Sequence, residues 1–197
     1  MHRNLTVFSL VVAVSLVSAL SSYAEGPKPM VMFGTEGEGR ISKFSLMPFA
    51  EGKAEISAET DHLAVKGPNF WSIAWQMNGV PFDLSQAPET GRLALLVSGT
   101  VQDEGPFIRV LLFSQRWERM SMYEIDISTM DAEKATPCKA TTLLDKPIVN
   151  EKQKKQPLTR EDTVGGMQLI TRAERGNQPW NIKVYGMAVV PEEPEEE

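Results

Sequence analysis

Cysteine is almost missing: Cys138 is the only one in 197 residues, so no disulfide can close within the chain and its fold rests on packing alone. A lone thiol of this kind reads as a small buried hydrophobe. Histidine is nearly as scarce, with His2 and His62 the whole supply. Neither stands at a metal-ligand spacing from Cys138, which excludes a zinc site of recognised pattern. A phosphate loop is also lacking, because Gly34-Thr35-Glu36-Gly37-Glu38-Gly39 has no closing lysine and no helix after it, and its carboxylates would repel phosphate. There is no Gly-x-Ser-x-Gly and no His beside a nucleophile, so the sequence reads as non-catalytic. With 20 basic residues against 26 acidic ones and no basic stripe, the chain is a poor partner for nucleic acid or an anionic membrane surface. No stretch beyond the first two dozen residues keeps a 3.6-residue apolar period for three turns, which leaves no helix of ordinary length.

The first two dozen residues carry the clearest signal. His2 and Arg3 precede an apolar run over 5–20, and small residues follow, ending Ser22-Tyr23-Ala24. This is the arrangement of a secretory signal peptide cut near Ala24. Ser9, Ser15 and Ser18 interrupt the run, which falls short of the roughly 20 clean residues of a membrane span. An uncleaved anchor is the alternative. Cleavage leaves a secreted or periplasmic protein with no span in the mature chain. Losing Arg3 alone moves the net charge from −6 to −7. The remaining length suits one domain, over 25–190, large enough to bury a continuous core. The tail 191–197, five glutamates and two prolines, has nothing to bury and is expected to be disordered.

Between these ends, short β-branched, aromatic and aliphatic runs are broken every eight to twelve positions by Gly, Pro, Asn and Asp, an all-β rhythm. Strands are expected over 30–33, 41–47, 54–57, 62–66, 70–77, 92–101, 107–114, 122–128, 139–144, 167–172 and 181–190. Tyr123, Ile125 and Ile127 alternate with Glu124 and Asp126, and Ile56, Leu63 and Val65 alternate with polar neighbours, so these strands have one wet face. The runs 93–97 and 107–113 are apolar on both faces and suit central strands. The architecture these features predict is a two-sheet antiparallel β-sandwich. One helical turn is allowed at 115–120 or 129–135. Gly165-Gly166 reads as a turn opening a strand, and 146–162, with Lys152, Lys154 and Lys155, as a solvated loop.

The middle of the chain supports a more specific comparison. Gly52 leads into 54–57, then come His62-Leu63-Ala64-Val65, Trp71-Ser72-Ile73-Ala74-Trp75, the turn Phe82-Asp83-Leu84-Ser85, and Gly91-Arg92-Leu93-Ala94-Leu95-Leu96-Val97-Ser98-Gly99, followed by the strand from Phe107 and a closing strand from Trp180. This order resembles the galactose-binding-domain-like jelly rolls common among carbohydrate-binding modules. The resemblance implies a jelly-roll sandwich and a glycan ligand, and a structural calcium near the chain ends, for which Glu36 and Glu38 are the available oxygen ligands. No other cofactor is implied.

Sugar recognition needs an aromatic plate for the apolar face of a pyranose and planar polar groups for its hydroxyls. Trp71 and Trp75, two apart on one strand, read as core. Trp117 lies in Gln115-Arg116-Trp117-Glu118-Arg119 between two strands and is the best exposed aromatic, either a plate or a ring folded back over the sandwich edge. Arg109 interrupts an apolar strand on the face of Phe107 and Leu111. Unpaired indoors it would cost roughly 3 to 5 kcal/mol, so it must reach solvent, an acid or a ligand. Arg172, Gln168, Glu124 and Asp126 alternate outward from strands that can neighbour it, which predicts either a polar groove or a structural ion pair such as Arg109 with Asp126. The ligand set is therefore Trp117, Arg109, Arg172, Gln168 and Asp126, with a glycan or cell-envelope component as partner. A structural or protein-interaction sandwich without a sugar site is the alternative, and a glycoside-active enzyme the third reading.

Overall fold

Alternating apolar residues become two antiparallel sheets. The computed structural model describes residues 28–34, 45–48, 55–68, 73–149, 154–175 and 178–192, with the backbone alone for 45–48, 56, 68 and 73–80. The strands are β1 Met30–Phe33, β2 Ser45–Pro48, β3 Glu55–Ala58, β4 Leu63–Pro68, β5 Ile73–Asp83, β6 Gly91–Thr100, β7 Phe107–Ser114, β8 Met120–Asp126, β9 Thr136–Lys139, β10 Thr163–Arg172 and β11 Pro179–Pro191. One sheet has the order β3-β4-β11-β6-β9, with β1 also on β11, and the other β2-β5-β10-β7-β8. Most connections cross from one sheet to the other, and the result is a jelly-roll sandwich.

The core lies between the sheets. Leu63, Val65, Leu93, Leu95, Val97, Ile182 and Val184 come from the six-stranded sheet, and Ile108, Val110, Leu112, Tyr123, Ile125 and Leu169 from the five-stranded one, all fully or almost fully buried. Each such side chain contributes about 1.5 to 3 kcal/mol by leaving water. Cys138 on β9 joins them, and burial pushes its thiol pKa up, as a lone structural cysteine requires. The turn after β5 is set by Asp83, whose Oδ1 accepts from the Ser85 backbone N–H at 3.0 Å and caps the short 3-10 helix Leu84–Gln86. Hydrogen bonds from Ser85 hold the Asp83 carboxyl below the ordinary carboxylate range.

Several expectations need correction. The strand expected over 139–144 is β9, Thr136–Lys139, because Pro137 is tolerated on an edge strand while Leu144 leaves the sheet to plug the core below Tyr123. Gly165 and Gly166 lie inside β10, at a register shift between Val164 and Gly166. A Cβ on Gly165 would sit 2.6 Å from the Gln115 Cα, so the strand passes the β7–β8 turn at a distance only glycine allows. Neither 115–120 nor 129–135 holds a helical turn. In the described part of 146–162 there is no strand or helix, yet it is packed: Leu158 is buried, and Arg160 donates to the carbonyls of Ala87, Pro88 and Glu89. Trp71 lies outside the described residues, and of Trp75 only the backbone is described, opposite Leu169 in the ladder. No described helix is long and apolar enough to cross a membrane.

Candidate functional site

The outer face of the five-stranded sheet gathers the polar residues that interrupt its apolar strands. On β7, Ile108, Val110 and Leu112 point into the core, which turns Phe107, Arg109 and Leu111 outward, each half-buried. Antiparallel register then sets rows across three strands. Arg172 of β10 is opposite Phe107 of β7, and Phe107 opposite Asp126 of β8. The next row is Ile170, Arg109 and Glu124, the next Gln168, Leu111 and Met122, and the last Gly166, Phe113 and Met120. From the first row to the last is about 20 Å along the strands.

Arg109 is held within this face. Its Nε donates to Glu124 Oε1 at 3.0 Å and its Nη2 donates to the same oxygen. Arg109 also lies over the Phe107 ring, 5.8 Å from the centroid. The partner is Glu124 and not Asp126 because register sets Glu124 directly opposite Arg109, whereas Asp126 falls opposite Phe107. Asp126 is exposed and accepts from the Ser128 backbone N–H at 2.8 Å. Arg172 is half-buried at the end of β10, and burial first, then repulsion from Arg109, press its guanidinium pKa down while Glu124 opposes them. It remains charged. Gln168 stands half-buried between Gln76 and Leu111 in the ladder.

Trp117 closes the far end of this face. In the β7–β8 turn its N–H donates to the Ser114 carbonyl at 2.8 Å, and the Ser114 N–H donates to the Arg119 carbonyl at 3.1 Å. Its φ is +60°, the one left-handed non-glycine residue among those described. A bulky side chain there costs about 1 to 3 kcal/mol and persists only where the surroundings over-determine it. The indole, half-buried, stacks on Phe113 with centroids 4.4 Å apart and planes tilted by 28°. Trp117 is thus both folded back, over Phe113, and open on one side.

The structure brings Trp117, Arg109, Arg172, Gln168 and Asp126 onto one sheet face and its bounding turn. Two participants escaped sequence reasoning. Phe113, the base of the stack, looked like one more apolar residue in a central strand. Lys155, assigned to a solvated loop, donates from Nζ to the Trp117 carbonyl and lies 5.7 Å from the Phe113 centroid. No signal in the sequence ties it to a residue 38 positions earlier. On the other side of the same turn a polar depression of about 260 Å³ is lined by Gln115, Arg116, Glu118, Arg119, Glu161 and Asp162, and Arg119 Nη1 spans it to Asp162 Oδ2 at 3.7 Å. Glu36 and Glu38, the calcium candidates, lie outside the described residues. Among the described residues no cluster of His, Cys, Asp or Glu is placed to hold a metal ion.

The sequence matches no protein-family model and no curated protein. Among solved structures, the chain is similar to an agarase, AgWH50C, with a TM-score of 0.52 and 9% identity over 84% of this chain and 25% of that one. It is similar to an exo-beta-agarase at a TM-score of 0.51 and 12% identity, over 85% of this chain and 26% of that one. A looser likeness, at a TM-score of 0.44, 9% identity and 81% and 61% coverage, is to a structure of carbohydrate-binding modules from the beta-sandwich superfamily. The chain therefore spans about a quarter of the length of the two agarases. At such identities the likeness is one of fold, and that fold is the jelly-roll β-sandwich that the sequence resembles.

Proposed function

We propose that this chain is a non-catalytic carbohydrate-binding domain, working outside the cytoplasm as a secreted or periplasmic protein after cleavage near Ala24, with its glycan lying along the outer face of β10, β7 and β8. One observation carries the reading: planar polar groups (Arg109, Glu124, Gln168, Arg172) alternate with apolar ones (Phe107, Leu111, Ile170) on a single partly open sheet face, bounded by the Trp117–Phe113 stack. That alternation matches a pyranose, whose faces are apolar and whose edges carry hydroxyls. Arg109, oriented by Glu124, would present its remaining N–H groups to sugar oxygens. Asp126, exposed at the margin, would accept from hydroxyls.

The test is titration of residues 25–197 with agar, xylan and other neutral oligosaccharides, alongside Arg109→Ala and Trp117→Ala. Binding that falls by about 1 to 3 kcal/mol in each variant, with the fold intact, supports the site. No binding by the wild type across the panel overturns it. Turnover of a glycan by the purified protein, absent from a heat-killed control, would overturn the non-catalytic reading instead.

A second reading is favoured by a specific feature. Arg109 is already satisfied by Glu124 and the Trp117 ring is half-covered, as befits a structural or protein-interaction sandwich with no sugar site. Under that reading Arg109→Ala lowers stability and no glycan binds.

A further inference from the structure

We propose that Lys155 is a positioning residue, a latch from the segment 154–162 that holds Trp117 in its left-handed conformation and its indole on Phe113. A hairpin turn that ends in a left-handed residue ordinarily has glycine there, since only glycine occupies that region without cost. Here the residue is tryptophan, at φ +60°, and the turn compensates with several restraints on one short stretch. The Trp117 N–H is held by the Ser114 carbonyl, the Arg119 N–H is held by Ser114 Oγ at 3.0 Å, and the Gln115 N–H is held by the Thr163 carbonyl at 2.9 Å. All three partners lie in the strands the turn belongs to or packs on. Lys155 differs in coming from a distant segment and in holding the carbonyl of the strained residue itself.

The same ammonium lies near the Phe113 ring on which the indole is stacked. One cation therefore fixes the backbone of the plate and contacts the base of its stack. The neighbouring Gln156 anchors the segment in register, because its carbonyl accepts from the Met120 N–H at 2.9 Å and it bridges Arg119. Lys155 thus reaches Trp117 from a fixed point. The consequence for glycan affinity rests on the function proposed above, while the latch itself does not.

The experiment uses Lys155→Met, which keeps the stem and removes the donor, and Lys155→Arg, which keeps a donor, each alone and with Trp117→Gly. Amide hydrogen exchange is read over 115–119, and agar and xylan oligosaccharides are titrated. Loss of a charge-assisted hydrogen bond is expected to speed exchange in the turn by about tenfold in Lys155→Met. Lys155→Arg restores the slow exchange, and in the Trp117→Gly background Lys155→Met changes little because glycine holds the turn unaided. Where a glycan binds, its affinity falls by about the same factor in Lys155→Met and recovers in Lys155→Arg. Unchanged exchange in Lys155→Met, or an equal change with and without Trp117→Gly, overturns the latch. Unchanged affinity for a glycan that needs Trp117 overturns its positioning role. If no glycan binds but exchange behaves as expected, the latch stands and the glycan reading alone falls.

Discussion

The buried carboxylate of Asp103 accepts the indole N–H of Trp180, Oδ2 to Nε1, at 2.7 Å, and its other oxygen accepts the Gln178 backbone N–H at 2.9 Å. Two loops meet here: Glu104 pairs with Arg175 in the adjacent bridge, joining the β6–β7 turn to the β10–β11 turn. Those turns bound the end of the sheet face that carries Arg172 and Phe107, so this clamp fixes one end of the candidate site as the Trp117 turn fixes the other.

Asp103→Ala is expected to destabilise the fold by about 3 kcal/mol, since it leaves the fully buried indole N–H without a partner. Asp103→Asn keeps an acceptor and should cost about 1 kcal/mol. Urea unfolding of both variants checks this, and equal losses would show that charge, not the hydrogen bond, is what matters.

Thr171 predicts the opposite sign. It is fully buried on the inner side of β10, and its Oγ1 finds no hydrogen-bond partner among the described residues. Thr171→Val keeps the shape and removes an unsatisfied hydroxyl, so stability should rise by about 1 kcal/mol. A lower melting temperature for this variant would mean that the hydroxyl is satisfied in solution.

Tyr123 gives a pH dependence. It is buried in the core, its hydroxyl donates to the Leu144 carbonyl at 2.7 Å, and burial pushes its pKa up from 10.0 to about 12. The unfolded chain releases this proton near pH 10 while the folded chain retains it, so stability falls as pH rises between the two values. At the upper end the loss is about 2 to 3 kcal/mol. Unfolding measured at pH 9 and pH 12 should show this loss in the wild type and a smaller one in Tyr123→Phe, and equal losses would refute the assignment.

These residues also mark where sequence reading succeeds. Tyr123, Ile125 and Ile127 alternate with Glu124 and Asp126, and the structure buries the first three and turns the others outward, because a period of two leaves a strand only one way to face a core. That rule fixes which way β8 faces but not its ends, which fall at Met120–Asp126 instead of the expected 122–128, while the apolar run of β7 is bounded to the residue and sets off Arg109 as an intruder. The partner of Arg109 was not legible, since Glu124 and Asp126 both point outward and only inter-strand register chooses between them. Register is a property of pairs of strands, written in neither. β9 is displaced for a related reason: Leu143 and Leu144 look like strand residues locally, and what removes Leu144 is the space beneath a tyrosine 21 positions earlier. Lys155 was least legible, because a lysine among Gln, Pro and Glu has the same composition whether it is solvated or clamped to a distant carbonyl.

Trp117 provides the sharpest comparison, because its side chain and its backbone pull in opposite directions. The indole gains from stacking on Phe113, a contact worth about 0.5 to 1.5 kcal/mol beyond area burial. Its left-handed backbone costs a comparable amount. Trp117→Ala loses the stack and keeps the strain, so it should destabilise by about 1 kcal/mol. Trp117→Gly loses the same stack but releases the strain, and should come out within about 0.5 kcal/mol of the wild type. Both remove the plate, so under the proposed function both should weaken glycan binding equally despite their different stabilities. Thermal melts and oligosaccharide titrations of the pair read the two quantities separately. A glycine variant less stable than the alanine one would show that the turn carries no strain in solution, and an affinity that follows stability rather than loss of the ring would remove Trp117 from the site.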